Sequence, residues 1–581
     1  MTELLIVMVA TLVVIAGATL VGPRLGVASP LVLVAIGVVA SLVVPAFGEV
    51  QIDPELILQG ILPPLLYSAA VSLPTMNFRR EFGAISGLSV VLVIGTAVIL
   101  GLFFMLVIPG LGFAWGLALG AVISPTDAVA VSIIKQTPVS KRVIAMLDGE
   151  SLLNDATALT LLRGAIVATA ASFSFASFAV SFSYSVVLAL VIGAAVGWGN
   201  LMIRKRITDP TVNTVLSFTV PFVAAIPAEL LGASGLVAAV VAGLVTGIRA
   251  ARVLSPQNRL SDSQNWRMVE LVLEGAIFLL MGLQISGILT DVENDDAGIK
   301  TAVLIAVGAL VITVLARAAF VAPLLWFLSR RSRRHARLKP RMEVMQERLG
   351  APPELVNTPA DAPRPSPTKS ARYVRRVTSL LTRSMADLDY FAREPLGWRE
   401  GTTVVWAGMR GAITVAAAQS LPSDAPLRST LVLIAFVVAA LSLLVQGGTI
   451  GALVRRISPA VDQVAEEERS RAERTRLFAL LKASAATIPE PAGAATEVEL
   501  GTVDGTQLEG GEPATGSGGY APRRDRFEAD KQHRLAVIDA QRTALLNARD
   551  NGIFDADLLE NALDNLDATQ ITLQMRGKPS A

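Results

Sequence analysis

Ala121-Val-Ile-Ser-Pro-Thr-Asp-Ala-Val-Ala130 and, shortly after it, Met146-Leu-Asp-Gly-Glu-Ser-Leu-Leu-Asn-Asp-Ala156 place a proline and several carboxylates inside runs that are otherwise apolar. Pro125 removes a backbone donor and clashes with the preceding turn, so a helix through the first stretch should break there, with Asp127 just beyond the break. Carbonyls freed by unwinding can coordinate a cation, and a carboxylate can offset the positive end of the following half-helix. The plainer alternative is a proline kink with Asp127 as its cap. In the second stretch Asp155 falls about 15 Å along a helix from Met146, near the midplane of a bilayer core about 30 Å thick. Ser151 and Asp155, four apart, share one helix face, and Glu150 and Asn154 share the neighbouring strip. These are hard oxygen ligands suited to a small monovalent cation, with too little charge to favour a permanently held divalent one. The plainer alternative here is a polar patch joining helices.

Outward from these stretches the chain remains apolar. Of 581 residues 52% are hydrophobic and only 17% charged, a balance that makes lipid the expected solvent. Apolar stretches of about 17 to 25 residues number about thirteen, beginning near residues 3, 28, 55, 83, 111, 146, 180, 209, 233, 269, 300, 400 and 428. The eighth and ninth could merge around Pro227 and Glu229. The first, from Glu3 to Val21, lacks the basic leader and small-residue cleavage site of a secretory signal, and is expected to stay as a span. Connections after odd-numbered spans are basic: Arg24, then Arg79 and Arg80, then Lys135, Lys141 and Arg142, then Arg204 to Arg206, then Arg249 and Arg252. Those after even-numbered spans are neutral or acidic, apart from Lys300 and Arg428. The positive-inside rule then sets the amino terminus outside and the carboxyl terminus in the cytoplasm.

The domain plan is spans 1–11 in residues 1–328, an inserted cytoplasmic loop at 329–399, spans 12 and 13 in 400–455, and a cytoplasmic tail at 456–581. The loop opens on Arg330, Arg331, Arg333 and Arg334 and passes through a proline-rich segment, which predicts partial disorder with some helix. The tail alternates charged helical segments with a Gly/Pro/Ser/Thr-rich linker at 488–522. No catalytic motif stands out in it.

Composition removes other chemistry. The chain has no cysteine, which excludes disulfides and thiol catalysis. Its two histidines, His335 and His533, lie in polar stretches, so no zinc cluster is expected. A net charge of +2 gives no global attraction to nucleic acid. Ser151 has no histidine base for a nucleophilic mechanism, so an enzyme is not expected.

An isolated buried Glu150 would be protonated or would need a positive partner. Arg317, deep in Val314-Leu-Ala-Arg-Ala-Ala319, is the natural one, with Arg163 and Arg410 as others; each could instead snorkel or bind helix-end carbonyls. Arg410 lies in Trp406-Ala-Gly-Met-Arg-Gly-Ala-Ile-Thr-Val415, where Gly408 and Gly411 predict a second local unwinding. If spans 1 to 6 and 8 to 13 are inverted repeats, the broken fifth and twelfth spans occupy matching positions, a pattern that marks transporter binding sites.

Ser124-Pro-Thr-Asp-Ala-Val-Ala130 together with Glu150-Ser-Leu-Leu-Asn-Asp-Ala156 closely resembles the electroneutral sodium/proton exchanger family, the first branch of the cation:proton antiporters, in its bacterial type. Leu62-Pro-Pro-Leu-Leu-Tyr67, Ala228-Glu-Leu-Leu-Gly-Ala-Ser-Gly235 and Gly408-Met-Arg-Gly-Ala412 extend the likeness, which covers residues 1 to about 455. The resemblance implies an all-α homodimer of about thirteen transmembrane helices per chain, with a core of crossed broken helices, in the plasma (inner) membrane. It implies that Asp155 carries cation and proton alternately, that Thr126 and Asp127 line the site, that Ser151 ligates transient sodium with Asp155 and Thr126, and that Glu150 pairs with Arg317. The pattern Asn154-Asp155, rather than two consecutive aspartates, is the one associated with one-for-one exchange. Where several relatives carry an acidic residue after Tyr67, this chain has Ser68. No cofactor is implied beyond the transported Na+, or Li+, and H+.

The expected function is therefore sodium/proton antiport, with proton and cation competing for one carboxylate and the core moving only when that charge is neutralised. Potassium/proton antiport on the same fold is the nearest rival. A channel or receptor working through its tail is the more remote one.

Overall fold

The computed structural model describes residues 2–22, 24, 26–44, 53–170, 175–294, 298–336, 367–457, 463–489 and 521–575. It divides into two units, Met1–Val374 with Ser384–Val461, and Arg375–Arg383 with Asp462–Ala581. Every regular element among the described residues is helical. In the first unit these are α1 (Thr2–Val21), α2 (Ser29–Val43), α3 (Leu56–Ser72), α4 (Thr75–Val107), α5 (Phe113–Ile123), α6 (Val129–Ile134), α7 (Lys141–Ala170), α8 (Phe175–Arg204), α9 (Pro210–Leu230), α10 (Gly235–Val253), α11 (Pro256–Leu283), α12 (Ile285–Asn294) and α13 (Ile299–Ala336). There follow α14 (Pro367–Arg393), of which Arg375–Arg383 is assigned to the second unit, α15 (Trp398–Trp406), α16 (Ala412–Gln419) and α17 (Arg428–Ile457).

Apolar sequence of this kind becomes helix because lipid offers no hydrogen bonds, so each backbone group must be satisfied within its own segment. Among the described residues seven helices are long and apolar enough to cross a membrane, and four shorter ones are also apolar. Their outward faces carry large hydrophobes such as Leu106 and Leu230, 79% and 82% exposed. A water-soluble domain rarely leaves such surfaces bare.

The ends of the helices are written locally. Asp209 accepts from the backbone N–H of Thr211 and Val212 at 2.8 and 3.1 Å, capping α9 with Pro210 at its first position. The eighth and ninth spans do not merge: Gly232, at φ +72°, turns the chain, and Ala233 N–H closes back on the Ala228 carbonyl at 2.8 Å. Pro227 and Glu229 lie in the last turns of α9.

Small residues then let backbones touch. A Cβ on Gly120 of α5 would collide with the Ala97 carbonyl of α4, and one on Gly37 of α2 would lie 2.9 Å from Gly282 Cα on α11. Three helices contain a widened π turn, at Leu56–Ile61 in α3, Gly87–Leu92 in α4 and Leu443–Gly447 in α17. The last two place polar side chains against the site described below.

Of the inserted segment expected at 329–399, residues 329–336 continue α13, α14 fills Pro367–Arg393, and 337–366 lie outside the described residues. The end of α14 is anchored. Asp387 accepts from Arg80 Nε at 2.6 Å, and the Arg80 guanidinium lies over the Tyr390 ring at 4.5 Å. Arg142, buried, pairs with Glu81 at 2.6 Å and donates to the Glu394 carbonyl at 3.0 Å. The first turns of α4 and α7 are thereby joined to the segment that leads into α15.

In the second unit α18 (Gln463–Ala485), α19 (Ala521–Asn551) and α20 (Ala556–Met575) bury Leu477, Leu545, Leu546 and Leu559 together. Arg542 donates to Asp567 at 2.8 Å and to Gln570 at 2.6 Å, linking α19 and α20. Of the linker expected at 488–522, residues 490–520 lie outside the described residues.

Candidate ion-binding site

The fifth apolar run is helical as α5, non-helical through Pro125 to Asp127, and helical again as α6. The twelfth is interrupted in the same way between α15 and α16. The two interruptions meet: Asp127 N–H donates to the Met409 carbonyl at 2.7 Å, and Arg410 Nε donates to the Ile123 carbonyl, in the last turn of α5, at 3.0 Å.

Each half-helix end has a charge against it. Arg410, 2% exposed, donates to the Ile123 and Gly408 carbonyls, where α5 and the second break leave acceptors unsatisfied. It does not reach Glu150 among the bonds described. Its backbone N–H donates to Ser442 Oγ at 2.7 Å, and Ser442 in turn donates to Gln446 in the π turn of α17 at 2.9 Å. Asp127 Oδ1 accepts from Val129 N–H at 3.0 Å at the start of α6. Its other oxygen lies against Gly411, the residue that opens α16.

Gly411 has φ −120°, which any residue adopts, so its smallness is required by space alone. A Cβ there would overlap the Asp127 carboxylate. Gly411→Ala is expected to cost about 1–3 kcal/mol through overpacking and to lower exchange at least tenfold, read as melting temperature in detergent and transport rate in vesicles. Wild-type rate in this variant would show that Asp127 can move aside freely. At Gly408 a Cβ would lie 2.6 Å from Arg317 Cδ and Nε, so that glycine admits the arginine.

On α7 the two strips separate. Glu150 and Asn154 face the first break: Asn154 Nδ2 donates to Thr126 O and Oγ1 at 2.9 and 2.8 Å, and Thr126 Oγ1 donates to Glu150 Oε1 at 3.0 Å. Arg317 donates through both terminal nitrogens to the two Glu150 oxygens, the Nη2 to Oε2 contact being 2.8 Å, and through Nε to the Val404 carbonyl of α15 at 2.8 Å. Ser89, in the π turn of α4, donates to the Glu150 carbonyl at 3.3 Å. Glu150, Asn154 and Arg317 are 1%, 0% and 2% exposed, so this is a dry, closed network. Arg163, the other arginine considered for Glu150, pairs instead with Glu229 at 2.6 Å, half-exposed. The physical reason is that it lies two turns beyond Asp155, where its long side chain reaches Glu229 in the last turn of α9.

Ser151 and Asp155 face elsewhere, into a cavity of about 300 Å³ that Asp127 also lines. Ser151 Oγ donates to the Asp148 carbonyl at 3.2 Å within its own helix, leaving its oxygen lone pairs toward the cavity. Asp155 is 6% exposed and has no hydrogen bond or ion pair among the described residues. Thr126 and Asn154 are therefore placed one layer behind the cavity, in the Glu150 network, whereas Asp127, Ser151 and Asp155 share it. Ser68 of α3 is buried and donates to Glu270 Oε2 at 3.4 Å.

Glu270 and Glu274, both lining the cavity from α11, escaped the reading of the sequence. They carry no motif. The available signal was two acidic residues four apart inside an apolar run, which a helix places on one face. Lys135, expected only as a charge in a connection, also lines the cavity and pairs at 3.0 Å with Asp148, at the start of the sixth apolar run.

Among the described residues no group of three or more His, Cys, Asp and Glu side chains has the arrangement of a metal centre. The cavity offers instead a few separated oxygens, suited to an ion that comes and goes.

A family model described as sodium/hydrogen exchanger, transmembrane, matches residues 8–347 and 371–456. The chain is 27% identical, over 98% of its length and 96% of the relative's, to a Mycobacterium tuberculosis protein named as an uncharacterized Na(+)/H(+) exchanger. It is 30% identical, over 46% of this chain and 41% of the relative, to a Bacillus subtilis protein named as a sodium, potassium, lithium and rubidium/H(+) antiporter. Its fold matches the solved sodium proton antiporter of Methanocaldococcus jannaschii at pH 8 with a TM-score of 0.55, 14% identity, and coverage of 78% of this chain and 99% of that one.

Proposed function

The chain belongs to the sodium/hydrogen exchanger family and is a multi-pass membrane cation/proton antiporter, and from that premise we propose that it exchanges Na+, or Li+, for H+ one for one, with Asp155 as the shared carrier. The observation that carries this reading is a carboxylate 94% shielded from solvent, without a partner among the described residues, lining a cavity beside Asp127 and Ser151. A charge so placed in a membrane span is costly unless it is used.

Either a proton or a sodium ion neutralises Asp155, with Ser151 Oγ as a further sodium ligand. Asp127 supplies negative potential from the break, and Thr126 holds the break to Glu150. The neutralised core carries its load across, and the empty charged core does not, so the two flows are coupled. Because each cycle carries one positive charge in each direction, no net charge moves. The same reading makes the protein a homodimer of thirteen-helix chains built on inverted repeats, in the inner membrane, with the amino terminus outside and the 329–399 segment and tail in the cytoplasm. The basic loops after odd-numbered spans support that orientation.

The test is dissipation of a pH gradient in sealed vesicles holding the purified protein, on addition of sodium, lithium or potassium, with the voltage free or clamped by an ionophore. Sodium and lithium are expected to dissipate the gradient whether or not the voltage is clamped. The half-saturating sodium concentration should rise as pH falls, by up to about tenfold per pH unit where the proton-bound form dominates, because the two ions compete for one site. A rate that depends on voltage would defeat one-for-one exchange, and a sodium affinity independent of pH would defeat competition. A second reading, exchange of potassium as well, is favoured by the Bacillus subtilis relative, whose name includes that ion. An equal response to potassium would establish it.

A further inference from the structure

We propose that Glu274, with Glu270 and Ser68 beside it, forms a second cation-holding station in the cavity that Asp127 and Asp155 also line, where an arriving sodium ion is held before it reaches Asp155. The inference rests on the reading of Asp155 as carrier and adds a residue set from other helices. Two helices line the same cavity with carboxylates. On α7, Asp148, Ser151 and Asp155 run inward along one strip, and on α11, Glu270 and Glu274 do the same, one turn or about 6 Å apart along the axis.

The two glutamates are not equivalent. Ser68 donates to Glu270 at 3.4 Å and fixes it against α3. Glu274 has no hydrogen bond or ion pair among the described residues. The basic residue among those lining the cavity, Lys135, is already paired with Asp148 at 3.0 Å. The rest of the wall near Glu274 is apolar, with Leu66, Ala69, Ile277 and Phe278.

Glu274 lies close enough to the Asp127 and Glu270 carboxylates in this low-dielectric cavity to repel them, and a cation beside them removes that repulsion. Asp155, buried and unpartnered in the same cavity, supplies the independent sign that an ion belongs there. Glu274 thereby raises the local cation concentration at Asp155 without itself crossing to the other side. Its contribution falls on affinity rather than on the turnover of the loaded carrier.

The experiment measures gradient dissipation against sodium concentration in vesicles holding wild type, Glu274→Gln, Glu274→Asp and Asp155→Asn, each checked for folding by its melting temperature in detergent. Glu274→Gln is expected to raise half-saturating sodium about tenfold, equivalent to about 1.4 kcal/mol, while the rate at saturating sodium changes less than about twofold. Glu274→Asp should recover most of the affinity, since it keeps the charge in a shorter arm. Unchanged half-saturation in Glu274→Gln, or a lower saturating rate with unchanged half-saturation, overturns the second station and assigns Glu274 a packing role. Transport by Asp155→Asn would overturn the carrier reading itself. An inactive Asp155→Asn beside an unaffected Glu274→Gln sinks the second station alone.

Discussion

Asp155→Asn is expected to reduce exchange to the background of protein-free vesicles, while the protein still folds and melts at or above the wild-type temperature. The substitution keeps the shape and removes the one property the mechanism uses, a charge that can be cancelled either by a proton or by a cation. Ordinary polar contacts would predict the opposite balance, because losing a buried group with partners destabilises a fold. Asp155 has no hydrogen bond or ion pair among the described residues, so nothing is orphaned by the change. Removing an uncompensated charge from a desolvated place should instead favour the folded state, the usual trade of stability for activity at a functional site. The measurement is twofold: gradient dissipation by sodium and by lithium in vesicles, and thermal unfolding in detergent. Exchange that survives in Asp155→Asn would remove this residue as carrier. An ion current through the variant without proton coupling would revive the channel reading.

The chain's own periodicity made much of the α7 site legible. Pro125 announced the break between α5 and α6, and the four-residue spacing of Ser151 with Asp155 and of Glu150 with Asn154 separated two strips that face a cavity and a closed network respectively. Arg317 was visible as a charge that an apolar run could tolerate only with a partner. What stayed hidden depends on which helix lies opposite which. Glu270 and Glu274 become part of the cavity only when α11 packs across from α7, and nothing local to α11 encodes that neighbour. Arg163 finds Glu229 across 66 positions of sequence, whereas Arg410 takes the helix-end carbonyls that its place beside a break already allowed. The anchoring of α14 by Arg80 was equally out of reach, since a basic, proline-bounded insertion gives no register for ion pairing. Local chemistry predicted the breaks and the strips, and tertiary juxtaposition decided their partners.

Breaking the Glu150–Arg317 pair should have the largest effect on stability. The pair is dry on all sides, with Thr126 and Asn154 continuing the network toward the first break and Val404 tying it to α15 near the second. Glu150→Gln leaves an arginine buried opposite a neutral amide, and Arg317→Met leaves a buried carboxylate with only hydroxyl support. In either case an uncompensated charge remains, which costs about 3–5 kcal/mol. Folded proteins have about 5–15 kcal/mol in all, so both single variants should express poorly and melt far below wild type. The double variant Glu150→Gln with Arg317→Met removes both charges at once and should regain most of the lost stability, giving a coupling of at least about 2 kcal/mol in a double-mutant cycle. Exchange should not return with it. Without Glu150 to accept from Thr126 and without Arg317 holding Val404, the two breaks lose the tether that keeps Asp127 beside Gly411, and the half-helix ends are free to shift. A double variant that both folds and exchanges at the wild-type rate would show that the pair serves only stability. Single variants as stable as wild type would show that water or lipid headgroups reach the pair, and that it is not the lock joining α7, α13 and α15.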